Sequence, residues 1–394
     1  MANNKKRTRK KSSKFSKNGS NSKLKPLFIV FLVAILVLGT GAAVYFIVIK
    51  NRSHKDDPSI RPTSAEIYSS SSSSDTDLVS IHFLELGNQY TGDCTFIKAG
   101  DVDILIDAGS RKSSAKTIKE FIDVFCKDGK LEYVIATHAH QDHIAGFIGT
   151  KTEPGIFDSY TIGTLIDFPK TNSTTALYND YVTKRDDNLK SQKIEQHLTA
   201  DQCINDDVGN RITFNITTGF DMQILDQRFY YENTSDENNY SVCTLFKHGN
   251  NNYLFTGDLE KEGEASLVAK NKLPHCELFK GGHHGSPTSN TDTLLSVITP
   301  EVVCICCCAG NDEYTSNPLN QFPSQEAINN IAKYTDKIYV TTVSTDGHNG
   351  YTSMNGNIGF ISTGNTYTVL GSNNTTILKD TDWFKSNRTW PSTT

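Results

Sequence analysis

Histidines and an aspartate crowd into one short stretch of this 394-residue chain. The run Thr137-His138-Ala139-His140-Gln141-Asp142-His143 holds four candidate metal ligands within six residues. Imidazole nitrogens and carboxylate oxygens bind divalent cations, and two histidines two residues apart can share one metal ion. The adjacent Asp142 and His143 can turn toward a second ion. A lone histidine is usually structural, but this density of ligands predicts a metal site.

Two later segments offer further ligands. Asp258 follows the apolar run Leu254-Phe255-Thr256-Gly257 and can bridge two cations, although an aspartate that caps a helix is a commoner explanation of such a position. His283 and His284 lie between glycines, which permit close approach. The two histidine motifs contain five of the eleven histidines in the chain. We therefore predict one site that draws ligands from all three segments.

The order of these motifs resembles that of the metallo-β-lactamase-fold hydrolases, in particular the subgroup that contains the nuclease-like domain of the competence protein ComEC. The similar segments are Leu105-Ile106-Asp107-Ala108-Gly109, Thr137–His143, Thr256-Gly257-Asp258 and Gly282-His283-His284-Gly285-Ser286. The resemblance covers residues 79–371. It implies an α/β (α+β) fold, the metallo-β-lactamase αββα sandwich, and a hydrolase that uses two divalent metal ions, Zn²⁺ or Mn²⁺.

The resemblance also implies a set of ligands for the two ions: His138, His140, Asp142, His143, Asp258 and His284. The His-X-His pair would hold the first ion, and Asp142, His143 and His284 the second. Asp258 would bridge both ions. Asp107 would orient the cluster.

The residues alone do not decide between His283 and His284 as the ligand. In a related teichoic-acid phosphorylcholine esterase the second histidine of such a pair binds metal and the first contacts phosphate. This likeness implies a phosphate contact for His283. The residues with implied catalytic roles are Asp142, Asp258 and His283.

The chain departs from the family pattern in two places. Many members supply a third histidine to the first ion, whereas the corresponding interval here holds only His197, in a polar stretch predicted to be helical, and His248, beside a predicted hairpin turn. Asn239 or Ser241 could take that place, and an oxygen ligand would favour Mn²⁺. Phe322 stands where the competence subgroup tends to have a histidine.

The expected chemistry is hydrolysis of a phosphoester or phosphodiester. A water held between two cations would lose its proton near neutral pH and attack. His283 or Lys280 could stabilise a phosphoryl oxygen, although a plain solvated lysine is at least as common. Two alternatives stay open: hydrolysis of a phosphorylcholine-bearing cell-wall polymer or a lactone, and a degenerate domain that binds DNA or a wall polymer.

Strands must position these motifs. Apolar runs predict strands at 78–86, 94–98, 102–106, 131–136, 222–225, 241–247, 253–256, 276–279, 302–306 and 337–343. Helices are predicted at 115–125, 176–197, 324–334 and after residue 258. Strands dominate both halves, which favours two stacked mixed sheets with helices outside. The cysteines at 304 and 306–308 lie in an apolar run and predict a buried strand rather than a metal cluster.

The composition of the N-terminal region predicts a membrane-targeting segment and a linker rather than a folded domain. Residues 26–49 carry no charge and predict a transmembrane helix of ~36 Å, with a cleaved signal peptide as the alternative. Ten basic residues within 1–25 predict a cytoplasmic N-terminus, and hence a cell-membrane protein with an extracellular catalytic domain. Residues 50–77, with six consecutive serines, predict a linker to a hydrolase domain at 78–371. Residues 372–394 form a tail.

The charge balance bears on the partner. Beyond residue 25 the chain carries 29 basic and 44 acidic side chains, a net charge of -15. Binding of nucleic acid relies on basic contacts with phosphates, so this excess of acid disfavours a nucleic-acid partner. We expect a small-molecule or polymer phosphoester substrate instead.

Overall fold

A computed structural model gives the fold. It describes residues 78–204 and 212–392, together with the backbone of two short strands nearer the N-terminus. The chain divides into two compact units, Met1–Arg61 and Pro62–Thr394. In the first unit, β1 (Leu32–Ala34) pairs antiparallel with β2 (Tyr45–Ile47). All the histidine motifs lie in the second unit.

Two eight-stranded sheets form the second unit. The strands of the first sheet are β3 (Val79–Phe83), β4 (Thr95–Ala99), β5 (Val102–Ile106), β6 (Lys130–Ile135), β7 (Thr161–Asp167), β8 (Ile194–Thr199), β17 (Ile358–Ser362) and β18 (Tyr367–Gly371). Their order is β18-β17-β3-β4-β5-β6-β7-β8. The pairs from β5 to β8 are parallel, and the remaining pairs are antiparallel.

The second sheet repeats this arrangement. Its strands are β9 (Thr213–Thr217), β10 (Phe220–Leu225), β11 (Cys243–His248), β12 (Asn251–Phe255), β13 (Leu278–Lys280), β14 (Val302–Ala309), β15 (Ile338–Ser344) and β16 (Tyr351–Ser353). Their order is β16-β15-β14-β13-β12-β11-β10-β9, with β12 to β15 parallel. Parallel strands end at one edge of a sheet, so the motifs that follow β5, β6, β12 and β13 can meet there.

Aromatic side chains join the inner faces of the two sheets. The ring of Phe83 stacks on that of Phe255 at 6.1 Å between centroids, and the rings of Tyr253 and Phe360 lie 5.4 Å apart. All four residues are buried. The rings contribute large apolar areas to the layer between the sheets, and their burial stabilises the packing of one sheet on the other.

Helices cover the outer faces of both sheets. They span Ser114–Phe125, Gln141–Ile148, Ile156–Ser159, Ala176–Lys190, Lys261–Lys270, Asp292–Ile298, Gln325–Ile331 and Asp382–Asn387. On the second sheet, Leu267, Leu294 and Ile328 from three helices join a buried cluster with Val303 and Ile305 of β14. The described residues thus form a helix–sheet–sheet–helix arrangement.

The cysteine-rich run is a buried strand, as predicted. The cysteines at 304 and 306–308 all lie in β14, where they are buried and free of disulfides. Cys304 and Cys306 belong to the layer between the sheets, whereas Cys307 packs under the outer helices. A small apolar thiol fits both crowded faces of a central strand.

One helix is shorter than the sequence predicted. The helix predicted at 176–197 ends at Lys190, and Ile194–Thr199 form the edge strand β8. His197 therefore lies on a strand, where its Nε2 is 2.8 Å from Asp167 Oδ1. An edge strand is partly solvated and keeps many polar side chains, so its pattern resembled that of an exposed helix.

The prediction of a transmembrane helix over residues 26–49 is not supported. No helix among the described residues is both long enough and apolar enough to cross a bilayer, and the described parts of 26–49 are the strands β1 and β2. Val33 of β1 and Ile47 of β2 are β-branched residues, which favour extended backbone. The cell-membrane location inferred from that helix, with its extracellular catalytic domain, is wrong. Residues 1–25, the linker at 50–77 and the rest of 26–49 lie outside the described residues.

Candidate metal centre

Asp107 organises the turn that carries the first histidine motif. It follows β5 with a positive φ of 58° and accepts hydrogen bonds from the backbone N–H and the hydroxyl of Thr137, each at 2.8 Å. Its Oδ2 is also 2.7 Å from Nδ1 of His143. Asp107 therefore ties the end of β6 to the helix that begins at Gln141 and sets the orientation of the His143 ring.

Four buried side chains bring their ligand atoms within 4.8 Å of one another: Asp93, His143, Asp258 and His284. The Nε2 atoms of His143 and His284 each lie 3.1 Å from Asp258 Oδ2, and 3.3 Å from each other. The other ring nitrogen, Nδ1, lies within hydrogen-bonding distance of an oxygen atom in both histidines. Nδ1 of His143 faces Asp107, and Nδ1 of His284 lies 2.9 Å from the carbonyl oxygen of Cys306. Both Nε2 atoms thus face inward, the orientation that a metal ligand requires.

Three more predicted ligands lie beside this cluster. Oδ2 of Asp142 is 3.3 Å from His284 Nε2 and accepts a hydrogen bond of 2.7 Å from the hydroxyl of Tyr314. The ring of His138 is centred 4.2 Å from that of His143. Nε2 of His138 lies 3.0 Å from Nδ1 of His140, so this pair could hold a cation beside the first cluster.

The two histidines of the later motif occupy different positions relative to the cluster. His284 lies inside the cluster, whereas His283 lies at its rim, half-buried, with Nε2 3.8 Å from Asp258 Oδ2. Nδ1 of His283 is 3.3 Å from Glu260 Oε1 and 3.2 Å from the hydroxyl of Thr288. Both histidines have positive φ values, 47° and 54°, a strained backbone conformation for residues other than glycine. This strain belongs to a functional turn.

No histidine among the described residues occupies the missing third position of the first ion. His197 contacts Asp167, and His248 contacts Ser362. Ser241 Oγ lies 3.4 Å from His138 Nδ1 and accepts a hydrogen bond from the backbone N–H of Asp258. Ser241 therefore helps to position these two predicted ligands. Asn239 Oδ1 accepts a hydrogen bond from a backbone N–H and does not face the histidines.

Lys280 is buried in the site, so the interpretation of it as a solvated lysine is wrong. Its side chain is 3% exposed. The ammonium group forms an ion pair with Asp93 and lies 3.7 Å from Asp258 Oδ1. Burial alone would lower the pKa of Lys280, but these two carboxylates outweigh it and raise the pKa. The lysine is therefore a fixed positive charge beside the carboxylates.

The pKa shifts show that the cluster stabilises positive charge. Burial opposes protonation of His143 and His284, but Asp258, with Asp107 beside the first ring and Asp93 beside the second, raises the pKa of each well above its usual value. The same imidazoles hold the pKa of Asp258 well below its usual value despite burial. Burial, together with the neighbouring rings, lowers the pKa of His138 well below its usual value. It stays neutral, as a ligand must.

The donor set fits a divalent cation. Oδ1 of Asp258 is buried and has no hydrogen-bond partner among the residues that the structure describes, an expensive arrangement unless a cation satisfies it. The nitrogen and carboxylate donors of the cluster lie within 4.8 Å of one another, close enough to share one ion. The buried Asp/His cluster therefore fits a metal site, and either Zn²⁺ or Mn²⁺ is compatible with its chemistry.

Sequence reasoning missed two residues of the site. Asp93 precedes β4, and Oδ1 lies 3.1 Å from His284 Nδ1, so it supports that ring together with the Cys306 carbonyl. The sequence feature that could have pointed to Asp93 is an acidic residue at the start of an otherwise apolar segment, Gly92-Asp93-Cys94. Tyr314, whose hydroxyl reaches Asp142, lies in a polar loop after β14 with no such signal.

Comparisons with known proteins find matches to parts of the chain. The metallo-beta-lactamase superfamily model matches residues 87–153, which include the first histidine motif. The chain is 31% identical over 111 residues to Recombination protein 2 of Haemophilus influenzae, covering 28% of this chain and 13% of that protein. It is 31% identical over 91 residues to ComE operon protein 3 of Bacillus subtilis, covering 21% and 12%. The chain thus spans only a small part of the length of these curated relatives.

Solved structures resemble the chain more loosely. The metallo-beta-lactamase fold protein YhfI from Bacillus subtilis has a TM-score of 0.39 and 10% identity, covering 68% of this chain and 96% of that chain. A long form RNase Z from yeast has a TM-score of 0.38 and 13% identity, covering 70% and 39%. The family prediction from the motifs is confirmed by the superfamily model and the curated relatives: the chain has the metallo-β-lactamase fold and is weakly homologous to the ComEC-like competence proteins.

Proposed function

We propose that this protein is a metal-dependent hydrolase of phosphoester or phosphodiester bonds. One observation carries the proposal: two inward-facing Nε2 atoms, of His143 and His284, converge on Asp258. One buried oxygen of Asp258 has no hydrogen-bond partner within the described part of the chain. Divalent cations held at such a site lower the pKa of bound water and polarise the bond to be cleaved. Members of the superfamily are typically metal-dependent hydrolases, which agrees with this assignment.

The proposed ligand set is the one that the motifs predicted. His138 and His140 would hold one cation, and Asp142, His143 and His284 the other, with Asp258 between them. The 3.0 Å approach of His138 Nε2 to His140 Nδ1 supports the first group. Asp93 and Lys280 would adjust the charge and the ring orientation without binding metal, because Asp93 lies on the Nδ1 side of His284.

His283 has the position of a proton carrier. Hydrogen bonds from His283 and Thr288 outweigh burial and hold the pKa of Glu260 at about 2, so Glu260 is ionised and faces Nδ1 of His283. That contact fixes a proton on Nδ1 and leaves Nε2 on the side of Asp258. A protonated Nε2 could donate to a phosphoryl oxygen or to the departing oxygen of an ester.

Turnover by the purified full chain tests the proposal. The protein would be loaded with Mn²⁺ or Zn²⁺ and assayed with bis(p-nitrophenyl) phosphate, a phosphorylcholine ester, a lactone, and single- and double-stranded DNA. We expect hydrolysis of the phosphodiester and a loss of at least about 100-fold in His140→Ala. His275→Ala is the matched control, because His275 is exposed and contacts Thr299 and Glu301 instead of the cluster.

The outcomes separate the alternatives. Turnover of the lactone alone would refute the phosphoester proposal while keeping the hydrolase. Cleavage of DNA in preference to the small diester would contradict the argument from charge. No turnover of any substrate, by protein shown to contain metal, would leave a binding domain and sink the enzyme proposal.

A further inference from the structure

Two aromatic rings lie on the exposed side of the metal cluster, next to His283, which we call the mouth of the site. Their loop contributes none of the proposed metal ligands. Tyr314 and Phe322 both lie in the segment between β14 and the helix Gln325–Ile331. Their ring centroids are 5.3 Å apart with the planes inclined by 30°. The ring of Phe322 lies 5.7 Å from His283 and 5.9 Å from His284. The pair thus extends from the histidines outward.

Tyr314 is unusual because it is both exposed and anchored. The residue is 51% exposed, whereas Phe322 beneath it is buried. Its hydroxyl donates to Oδ2 of Asp142 at 2.7 Å, the same oxygen that lies 3.3 Å from His284 Nε2. One end of the tyrosine therefore touches the metal cluster, while much of the residue faces solvent. Large exposed aromatic rings beside a site commonly mark a surface that binds a ligand.

The residue before Tyr314 fixes the loop across the mouth. Glu313 accepts a hydrogen bond of 2.8 Å from Arg111 and another of 2.9 Å from the backbone N–H of Thr91. The guanidinium group of Arg111 lies 3.5 Å above the ring of Tyr90. These contacts join the loop to the segments around β4 and β5, so the ring of Tyr314 is held in place before a ligand arrives. A ring that is already ordered loses little entropy on binding.

We propose that Tyr314, supported by Phe322, is a stacking platform for a flat aromatic group, an aryl ring or a single nucleobase, attached to the phosphoryl group of the substrate. The inference rests on the proposed function, because the distance from the platform to the cluster matters only if a phosphoryl group binds there. Every base has a π-face, so stacking tolerates different rings. The net charge of -15 beyond residue 25 disfavours a long polyanion, so the ligand is a short phosphoester that carries one ring.

A purely structural role for Tyr314, as a hydrogen-bond donor to Asp142, makes a different prediction. Tyr314→Phe removes the hydroxyl and keeps the ring, whereas Tyr314→Leu removes both. Stacking requires the ring alone, so the two variants separate the roles. Tyr231→Leu is the control, because Tyr231 is 46% exposed and its ring contacts Tyr230 and Lys270.

Binding of two phosphonates to the Mn²⁺-loaded full chain tests the platform without turnover. We expect wild type, Tyr314→Phe and Tyr231→Leu to bind phenylphosphonate at least about tenfold more tightly than methylphosphonate in calorimetric titrations. In Tyr314→Leu this preference should fall to about threefold or less. Equal affinities in the wild type, or an unchanged preference in Tyr314→Leu, would overturn the platform. If the preference holds but no ester is hydrolysed, the platform stands and the proposed hydrolase function fails.

Discussion

Lys280 provides the sharpest prediction about the charge balance of the site. Its ammonium group is 3% exposed, pairs with Asp93, and lies 3.7 Å from Asp258 Oδ1 and 3.4 Å from the carbonyl oxygen of Gly257. Lys280→Met keeps most of the aliphatic stem but removes the charge. Two buried carboxylates then lose a neighbouring cation, and breaking a buried ion pair on one side costs about 3–5 kcal/mol. The free energy of unfolding of the metal-free protein should fall by that amount.

Urea denaturation followed by circular dichroism measures this loss. In the presence of a chelator we expect a lower midpoint with an unchanged slope. Excess Mn²⁺ should reduce the difference in free energy of unfolding between variant and wild type. A cation bound by the folded state stabilises it, and in the variant the cation also offsets the carboxylate charge that Lys280 no longer compensates. The double variant Asp93→Asn with Lys280→Met should recover at least half of the lost stability, because it removes one of the uncompensated charges.

An exposed lysine supplies the matched control. Lys333 pairs with Asp292 at 3.3 Å, and the two side chains are 51% and 57% exposed. Lys333→Met should change the free energy of unfolding by less than about 1 kcal/mol. If Lys280→Met costs no more than Lys333→Met, the electrostatic account of the site is refuted.

Three further changes test the packing around the site. Burial raises the pKa of Glu264 to about 7 from 4.5, so the folded chain binds its proton more tightly than the unfolded chain. Measured by urea denaturation, the stability of wild type relative to Glu264→Gln should therefore fall by up to about 3 kcal/mol as pH rises from 4.5 to 7, and a flat difference would contradict this. Phe255→Ala removes a ring between the sheets and should lower the free energy of unfolding by about 3–5 kcal/mol in the same assay. Gly285→Ala would place a Cβ 2.7 Å from Pro323 Cβ, at a residue whose φ is 80°. The turn that carries His283 and His284 would have to shift, so calorimetric titration should show weaker Mn²⁺ binding. An unchanged Mn²⁺ affinity would argue against a strained histidine turn.

The strands and the histidine motifs were predictable because the signal is local. Short apolar runs bounded by glycines marked β5 at its observed limits, Val102–Ile106, and placed β6 within one residue of its observed limits. The first histidine motif begins two residues after the end of β6, and strand ends position side chains rigidly. His143 lies on the helix that begins at Gln141. The meeting of Asp258 and His284 with this motif was predicted from the concentration of histidines in two motifs, and the family resemblance supported it.

Long-range contacts explain what the sequence did not reveal. Whether Lys280 is solvated or buried depends on Asp93, which lies far away in the sequence and next to it in the fold. Tyr314 reaches Asp142 across 172 positions of the chain. The length of the polar helix was also overestimated, because β8 is an edge strand with few buried side chains. Such features arise only when the two sheets pack together.

The number of metal ions bound per chain tests the central claim most directly. The purified full chain would be equilibrated with Mn²⁺ or Zn²⁺, freed of excess metal, and analysed by mass spectrometry of the metal content. We predict two ions per chain in wild type and in Asp292→Ala, whose carboxylate is 57% exposed, and at least one ion fewer in Asp258→Ala. Equal metal content in wild type and Asp258→Ala, or no bound metal in either, would contradict the account.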